Sequence, residues 1–452
     1  MIHRRIGGEI DLLELHRAHA ERYPFLLESV AGHPQSGRYD ILFAFPGEAL
    51  ELRDGQLAGP SGGGRDFLMA LDDWARREGP PSDEAMRGLP FIGGWFVYCG
   101  YELGAQIEPS VDYPAAPGGL PTALAVRVPA AIIHDRQQAC CHLLAEQDPA
   151  QIEQMAADLA AGGGEAEVSE ARALRIDEDP PKRFLSGVER ILDYLAAGDA
   201  FQVNLSRCWR VLLQDRDAAA AERLYRALRC HNPAPFAGLM AWQGSYLLSS
   251  SPERLASIDG QRVQTRPIAG TRPRGAHEQE DTRLKGDLIE NLKERAEHVM
   301  LIDLERNDLG RVCEPGSVEV SELMTLETYA HVHHIVSNVT GRLRHGVGAG
   351  DVIRAVFPGG TITGCPKVRA MQIIAELEGE GRGAYTGSMG YLGRDGRLDC
   401  NILIRSLVLR GNRAWLRAGA GIVADSDPAA RCSQASSLGA AGAASPRAAA
   451  SA

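Results

Sequence analysis

The feature that most constrains the fold is a series of short apolar runs in residues 389–423, which read MGYLGRDGRLDCNILIRSLVLRGNRAWLRAGAGIV. Asp395-Gly396 and Gly411-Asn412 interrupt the series, and both dipeptides suit the tight turns of β-hairpins. The pattern therefore predicts consecutive antiparallel strands that are joined at these two turns.

Apolar spacing elsewhere predicts helices and one more hairpin. Residues 66–78 and 182–198 carry apolar side chains at helical spacing. Asp259-Gly260 lies between two strand-like runs and suits another tight turn. Long helices beside a largely antiparallel sheet system predict an α+β fold.

Composition divides the chain into four segments. Residues 1–147 mix strand-like and helical patterns and are predicted to form a first domain. Residues 148–179 are rich in Ala, Gly and Glu, which predicts a short helix followed by a linker. Residues 180–428 are predicted to form a second, larger domain. Residues 429–452 are a low-complexity tail, poor in bulky apolar side chains, that is not expected to pack.

Charge and cysteine usage argue against several classes of protein. The net charge is -11 and the acidic residues are spread along the chain, so that no basic stripe is present to bind nucleic acid. The apolar runs are too short to span a bilayer, so no membrane partner is expected. The nine cysteines form no CxxC motif, which argues against a zinc site and a disulfide framework. We expect a soluble protein of the reducing cytoplasm.

Residues 287–310, DLIENLKERAEHVMLIDLERNDLG, are predicted to form one acidic helix. Its apolar stripe is predicted to consist of Leu288, Leu292, Val299 and Ile302. A second face carries Glu290, Glu294 and Glu297. The carboxylates of Glu294 and Glu297 point the same way, about one turn apart. Such a pair either stays solvated, or holds a proton at a raised pKa, or binds a hard cation such as Mg²⁺.

Five stretches in the second segment carry a family resemblance. They are FQVNLSR (201–207), SSPERL with RPIAGTRPRG (250–275), KERAEHVMLIDLERNDLGRV (293–312), HVHHIVSNVTG (331–341) and FPGGTITGCPKVRAMQII (357–374). Together they closely resemble the chorismate-utilising enzymes, which include anthranilate synthase component I, aminodeoxychorismate synthase component I, isochorismate synthase and salicylate synthase. The resemblance implies a component I-like sandwich of largely antiparallel sheets flanked by helices. Residues 1–147 resemble the N-terminal domain of the two glutamine-dependent members.

The resemblance also implies roles for individual residues. It makes Glu297 a ligand of Mg²⁺, with Glu294 supporting the metal, and it makes Glu253 the general acid for the C4 hydroxyl of chorismate. His334 would lie near the reacting ring. The substrate-facing residues would be Gly270, Thr271, Thr361, Lys367, Tyr385, Arg405, Gly419 and Gly421. Arg405 suits a carboxylate because its guanidinium can give two parallel hydrogen bonds, and the glycines let the backbone approach the substrate.

The nucleophile divides the family. Members that add water carry a Lys where this chain has Gln202, and an amide cannot activate water. The resemblance therefore implies ammonia as nucleophile. Ammonia in turn implies a glutamine amidotransferase partner in a heterodimer.

The choice between C4 and C2 amination depends on several signatures. Asn204 in QVNLS, the FPGGTITG sequence, and GRYDI and GYELG in the first segment resemble aminodeoxychorismate synthase, which acts in 4-aminobenzoate and folate biosynthesis. Ala269, which replaces a family lysine that attacks C2, resembles anthranilate synthase of tryptophan biosynthesis. So does LLES, the tryptophan-site-like motif Leu26, Leu27, Glu28 and Ser29. The larger number of matches near the active site favours aminodeoxychorismate synthase component I, with anthranilate synthase component I as the alternative.

The end of the second segment departs from the family. The family continues with E-Y-x-E-T and a Lys after the ADSDP sequence. This chain has Arg431, Cys432, Ser433, Gln434 and Leu438 there instead. The tail has the composition of a shifted reading frame. Loss of the second acidic pair predicts weak Mg²⁺ binding and weak activity, since loss of even an outer partner costs about 10 to 100-fold. A second alternative is therefore a catalytically impaired homologue that acts as a binding subunit.

Overall fold

The computed structural model describes residues 1–30, 37–60, 64–80, 88–162, 171–329 and 332–447. Two large antiparallel sheets with surrounding helices make up these ranges, which confirms the α+β prediction. No helix within them is long and apolar enough to cross a membrane.

The elements before residue 180 are mostly short strands. The strands are β1 (Ile2–Gly7), β2 (Phe25–Glu28), β3 (Tyr39–Ala44), β4 (Ala49–Arg53), β5 (Gln56–Ala58), β6 (Gly94–Cys99), β7 (Ala123–Val128), β8 (Ala130–Asp135), β9 (Cys140–Ala145) and β10 (Ala173–Glu178). The helices are α1 (Leu12–Ala18), α2 (Phe67–Glu78), α3 (Gly104–Ile107) and α4 (Pro149–Ala161). Of the predicted linker, residues 163–170 lie outside the described ranges.

The elements after residue 180 include the longest strands. The strands are β11 (Gln202–Leu213), β12 (Phe236–Trp242), β13 (Ser245–Ser251), β14 (Arg254–Asp259), β15 (Arg262–Thr265), β16 (Ile268–Pro273), β17 (Glu319–Thr328), β18 (Val332–Arg342), β19 (Gly364–Cys365), β20 (Ser388–Gly393), β21 (Leu398–Asn401), β22 (Ser406–Arg410) and β23 (Arg413–Ile422). The helices are α5 (Pro181–Ala196), α6 (Asp217–His231), α7 (Glu278–Glu290), α8 (Leu292–Gly310), α9 (Ala349–Val356), α10 (Gly360–Thr363), α11 (Lys367–Glu378) and α12 (Pro428–Arg447).

Both sheets contain strands from both predicted domains. The first sheet has the order β1-β9-β8-β3-β2-β12-β13-β22-β23-β11-β10, with β19 beside β11. The second has the order β16-β18-β15-β14-β21-β20-β6-β7-β4-β5, with β17 beside β18. Strand β2 pairs with β12, and β6 pairs with β20, so the strands of residues 1–147 continue the sheets of the later segment. The two predicted domains therefore do not form separate sheets.

The core between the sheets is aromatic. Phe25 of β2 stacks on Phe96 of β6 with ring centroids 4.2 Å apart, and Phe43 contacts the same ring edge to face at 5.6 Å. Each buried side chain of this size contributes about 1.5–3 kcal/mol through removal from water. These contacts hold the two sheets face to face as a sandwich.

Helices cover the outer faces of the sandwich. Asp66 caps α2 by accepting the Met69 N–H at 2.8 Å, which confirms the helix predicted there. Helix α5 confirms the second predicted helix and buries Phe184, Val188 and Ile191. Helices α2 and α9 lie on the second sheet, and α1, α4 and α6 lie on the first.

The C-terminal strands form two hairpins rather than one meander. Strands β20 and β21 pair around Asp395-Gly396, and β22 and β23 pair around Gly411-Asn412, so both turns are confirmed. The first hairpin belongs to the second sheet, and the other belongs to the first sheet. The chain therefore crosses between sheets after β21, and Arg405 lies in this crossover.

The prediction that the tail does not pack is wrong. Residues Pro428–Arg447 form α12, in which Ala435 is fully buried beside Phe184 of α5 and Ile422 of β23. Gly439 lies so close to Trp209 that a Cβ there would collide with the indole ring. Alanine favours helix, and glycine, which has no Cβ, allows this close approach. Residues 448–452 lie outside the described ranges.

Candidate active site

A cavity of about 650 Å³ brings together eight of the predicted site residues. They are Glu253, Thr271, His334, Thr361, Tyr385, Arg405, Gly419 and Gly421. Thr271 and His334 belong to strands of the second sheet, whereas Gly419 and Gly421 lie on β23 of the first. The cavity therefore depends on contacts between both sheets.

Glu253 lies where the chain crosses from β13 in the first sheet to β14 in the second. Its carbonyl accepts the Ile402 N–H at 3.0 Å, which ties this crossover to the one that carries Arg405. Its buried carboxyl group accepts the Ile268 N–H at 3.4 Å. Burial raises the pKa of Glu253 to about 7, although that N–H and the positive charge of Arg405 lower it. A carboxyl group of this kind holds a proton near neutral pH, as a general acid must.

His334 is a neutral imidazole on the cavity wall. It lies opposite Thr271 in the pairing of β18 with β16, and its Nδ1 is 2.9 Å from Thr271 Oγ1. Burial, and then the charge of Arg405, lower the pKa of His334 to about 4. Its buried Nε2 has no hydrogen-bond partner among the described residues, so it is available to a ligand.

Arg405 supplies a cation in a constrained conformation. Its φ of 52° lies in the left-handed region, which residues other than glycine rarely adopt. Its carbonyl accepts the Ser250 N–H at 3.1 Å, and its Nη1 donates to Asn232 Oδ1 at 3.3 Å. Burial lowers the pKa of Arg405, whereas Glu253 raises it. Backbone strain of this kind is typical of a functional position.

Two glycines of β23 open space at the other wall. A Cβ at Gly419 would lie 2.9 Å from the Tyr385 hydroxyl, and one at Gly421 would lie 2.9 Å from Gln202 Nε2. Asn204 also lines the cavity, and both its Oδ1 and the Oε1 of Gln202 are buried without a partner among the described residues. Buried polar atoms that lack partners cost about 1–3 kcal/mol each, so a polar ligand would relieve this cost.

The predicted acidic helix is two helices. Asn291 ends α7 and caps α8, because its side chain accepts the N–H groups of Lys293 at 3.0 Å and Glu294 at 3.1 Å. Because of this break, the apolar residues of α7 and α8 no longer share the single helix face that was predicted. Leu288 and Ile302 are buried as predicted, but Leu292 is 80% exposed and Val299 is 48% exposed, so the prediction is wrong for these two.

The residues beside the cavity do not fit a resident Mg²⁺. Arg272 Nη1 donates to Glu294 Oε1 at 2.6 Å. Burial raises the pKa of Glu297, and the positive charge of Arg431 opposes that rise. The described ranges contain no group of three or more His, Cys, Asp or Glu that could hold a metal. Glu294 is thus already paired with Arg272, and Glu297 has the charge of Arg431 near it without a direct contact, an arrangement that disfavours a divalent ion.

Two predicted substrate residues, Lys367 and Gly270, do not line the described cavity, and neither does Ala269 at the position of the family lysine. Lys367 Nζ donates to Asp308 Oδ2 at 2.5 Å and to the Val356 carbonyl at 3.2 Å, so its ammonium group closes a buried ion pair instead. Ala269 is buried on β16 opposite Ile335, although Ile268 and Thr271 of the same strand do line the cavity. Gly270 packs against the Glu294 carboxylate.

A buried ionic network under the cavity was not predicted. Glu378 on α11 accepts from Arg382 Nη2 at 2.7 Å and from Arg417 Nη1 at 3.1 Å, and Ser206 donates to it twice at 2.8 Å. Arg417 lines the cavity, and Arg382 Nη2 also donates to the Asn204 carbonyl at 2.8 Å. A sequence signal was present, since Glu378 continues the helical apolar spacing of Met371 and Ile374.

The LLES motif lies beside a second cavity of about 430 Å³. Leu27, Glu28 and Ser29 line it, whereas Leu26 is buried in the core of the first sheet. Glu28 accepts from the Tyr225 hydroxyl at 2.7 Å. Burial raises the pKa of Glu28 to about 7, although the charge of Arg229 lowers it.

Comparisons with known proteins agree with this geometry. The family model described as chorismate binding enzyme matches residues 60–432. Anthranilate synthase component 1 of Pseudomonas aeruginosa is 38% identical over 441 residues, or 90% of this chain and 86% of that protein. Aminodeoxychorismate synthase component 1 of Bacillus subtilis is 51% identical over 246 residues, or 54% of this chain and 51% of that protein. The crystal structure of anthranilate synthase component I from Streptococcus pneumoniae TIGR4 superposes with a TM-score of 0.78 at 29% identity, covering 92% of this chain and 93% of the other.

Proposed function

The chain belongs to the chorismate-binding enzymes, and within this family we propose that it aminates chorismate at C4 to give 4-amino-4-deoxychorismate. The observation that carries the proposal is the cavity in which a protonatable carboxyl group, a neutral imidazole and a buried guanidinium group meet. A cyclohexadiene acid with two carboxylates and a ring hydroxyl needs each of these groups.

The position of the distinguishing residues supports C4 over C2. Asn204 and Ile362 belong to the two sequences that resemble aminodeoxychorismate synthase, and both line the cavity. Ala269 resembles anthranilate synthase, and it is not among the described residues that line the cavity. Residues that touch the substrate are the ones expected to select the reacting carbon.

In the proposed reaction, Glu253 donates its proton to the C4 hydroxyl, which then leaves as water. The raised pKa of Glu253, about 7, keeps this proton available at neutral pH. Arg405 holds a carboxylate by two parallel hydrogen bonds, and the backbone at Gly419 approaches the ring closely. His334 stays neutral and offers Nε2 to the ring substituents.

Ammonia is the proposed nucleophile: its nitrogen bonds to C4 as the C4–O bond breaks, and the proton that the nitrogen then loses replaces the one that Glu253 donated. Gln202 borders the cavity at Gly421 with an amide, which cannot take a proton from water as a lysine amine can. We propose that a glutamine amidotransferase subunit delivers the ammonia, in a heterodimer with this chain.

Product analysis tests the proposal. Purified protein incubated with chorismate and an ammonium salt should form 4-amino-4-deoxychorismate, detected by mass spectrometry, at a low rate because the second acidic pair is absent. Anthranilate fluorescence instead would contradict C4 amination and support the anthranilate synthase alternative, which Ala269 and several named relatives favour. Chorismate binding without any product would support the binding-only alternative.

We also propose that the second cavity binds L-tryptophan. Its lining combines Leu27, Phe236 and Tyr391 with the polar Ser29 and Asp399, a mixture that suits an aromatic amino acid. Calorimetric titration should show binding to the wild type and none to Leu27→Trp, whose indole would fill the space. Leu174→Trp is the control, since Leu174 is exposed on β10. Equal binding to all three proteins would contradict this site.

A further inference from the structure

The cavity ends at Gly421, beside Gln202 and Glu297. A Cβ at Gly421 would lie 2.9 Å from Gln202 Nε2 and 3.7 Å from Glu297 Oε1, so only a glycine leaves this end open. Gln202 is 2% exposed, and its Oε1 has no hydrogen-bond partner among the described residues. An unpaired buried amide oxygen at the cavity indicates that a hydrogen-bond donor of the ligand binds there.

Helix α12 also contributes to the wall of this cavity. Its residues Gln434 and Ser437 line the cavity, and Arg431 lies one turn earlier. Arg431 Nη1 donates to Gln434 Oε1 at 2.8 Å, and its Nε is 3.2 Å from Ser426 Oγ. Both partners are neutral, and within the described ranges no carboxylate oxygen lies within 4.0 Å of this guanidinium. Arg431 is therefore a positioned cation with free N–H groups.

Charge matching singles out Arg431. A ring acid with two carboxylates needs two cations, and Arg405 supplies the first. Arg417 also lines the cavity, but Glu378 and Glu380 each bind it at 3.1 Å. Arg431 makes no such contact among the described residues, and its positive charge acts on Glu297, which alone would repel a carboxylate.

We infer that the guanidinium of Arg431 receives the second carboxylate of the substrate, at the position where the family resemblance implies Mg²⁺. Arginine holds a carboxylate by two parallel N–H···O bonds, so binding needs no metal. A guanidinium is not a Lewis acid and polarises the substrate less than Mg²⁺ does, so we expect slow turnover. The inference rests on the proposed function in taking chorismate as the ligand.

Calorimetric titration with chorismate tests this inference without turnover. The wild type should bind chorismate equally in EDTA and in excess Mg²⁺. Arg431→Ala should bind about 10 to 100-fold more weakly, as expected for loss of a charge-assisted pair. Arg190→Ala is the control, since this arginine is exposed on α5 and is not among the residues that line the cavity. Chorismate binding that needs Mg²⁺, or that Arg431→Ala leaves unchanged, would overturn the inference.

The Mn²⁺ ion, observed by electron paramagnetic resonance, provides a second test. The wild type should not bind Mn²⁺, because Arg431 occupies the place of the cation. The double variant Arg431→Glu/Gln434→Glu introduces two acids one turn apart on α12, the first of them near Glu297, and should gain Mn²⁺ binding. Mn²⁺ binding by the wild type that Glu297→Gln abolishes would refute the inference. Wild-type protein that binds chorismate in EDTA but forms no product would refute the proposed function and leave the inference standing.

Discussion

Glu253→Gln should lower kcat for chorismate amination by about 10² to 10⁴-fold, the usual contribution of a general acid. Glutamine keeps the size of the side chain and can still accept the Ile268 N–H. It has no acidic proton for the departing hydroxyl, so the C4–O bond must break without protonation. Single-turnover kinetics with saturating chorismate and ammonium would measure the loss.

The pH dependence separates a general acid from a structural role. Glu253 must be protonated to act, and burial raises its pKa to about 7, so kcat should be high below this value and fall as pH rises above it. In Glu253→Gln this decline should disappear. Glu319→Gln, at an exposed position of β17, should keep both the rate and the profile of the wild type. An unchanged decline in Glu253→Gln would assign the titration to another group.

Local signals in the sequence predict much of the fold. Asp-Gly and Gly-Asn dipeptides require backbone conformations that few other residues adopt, so the hairpins at residues 395–396 and 411–412 follow from them. The partners of distant strands carry no comparable signal. The pairing of β2 with β12 and of β6 with β20 is set by the burial of both sheet faces, which is why two predicted domains share their sheets.

Site residues can be predicted from the sequence where the reaction requires one type of side chain and a long motif surrounds that residue. Glu253, His334 and Arg405 meet these conditions and line one cavity. The prediction that Lys367 faces the substrate is wrong, because the ammonium group of Lys367 forms an ion pair with the buried Asp308. The predicted burial of Leu292 is wrong for a different reason. The cap at Asn291 starts a new helix there, so that the apolar spacing of residues 287–310 no longer lies on one helix face. Helix α12 packs through small residues such as Ala435 and Gly439. A segment rich in such residues has a low-complexity composition, which led to the wrong prediction that it does not pack.

Glu378→Gln should lower the free energy of unfolding by about 3–5 kcal/mol, because it leaves the buried Arg382 guanidinium without its counter-ion and Arg417 with Glu380 alone. Glu378 is buried and accepts from both Arg382 and Arg417, and Arg417 lines the substrate cavity. An amide matches the carboxylate in size but has no negative charge. Urea denaturation followed by circular dichroism would measure the change.

The dependence of this loss on pH tests its ionic origin. Although burial raises the pKa of Glu378, the charges of Arg382 and Arg417 lower it below its usual range. A carboxyl group with a lowered folded pKa stabilises the fold above its unfolded pKa, and this stabilisation is lost as pH falls through the folded pKa. The difference between wild type and Glu378→Gln should therefore be largest near neutral pH and shrink in acid. Glu376→Gln, on the same helix but bonded only to the exposed Tyr194 hydroxyl among the described contacts, should change stability by less than about 0.5 kcal/mol at any pH. If the two variants have the same free energy of unfolding, the buried carboxylate of Glu378 does not stabilise the fold beneath the cavity.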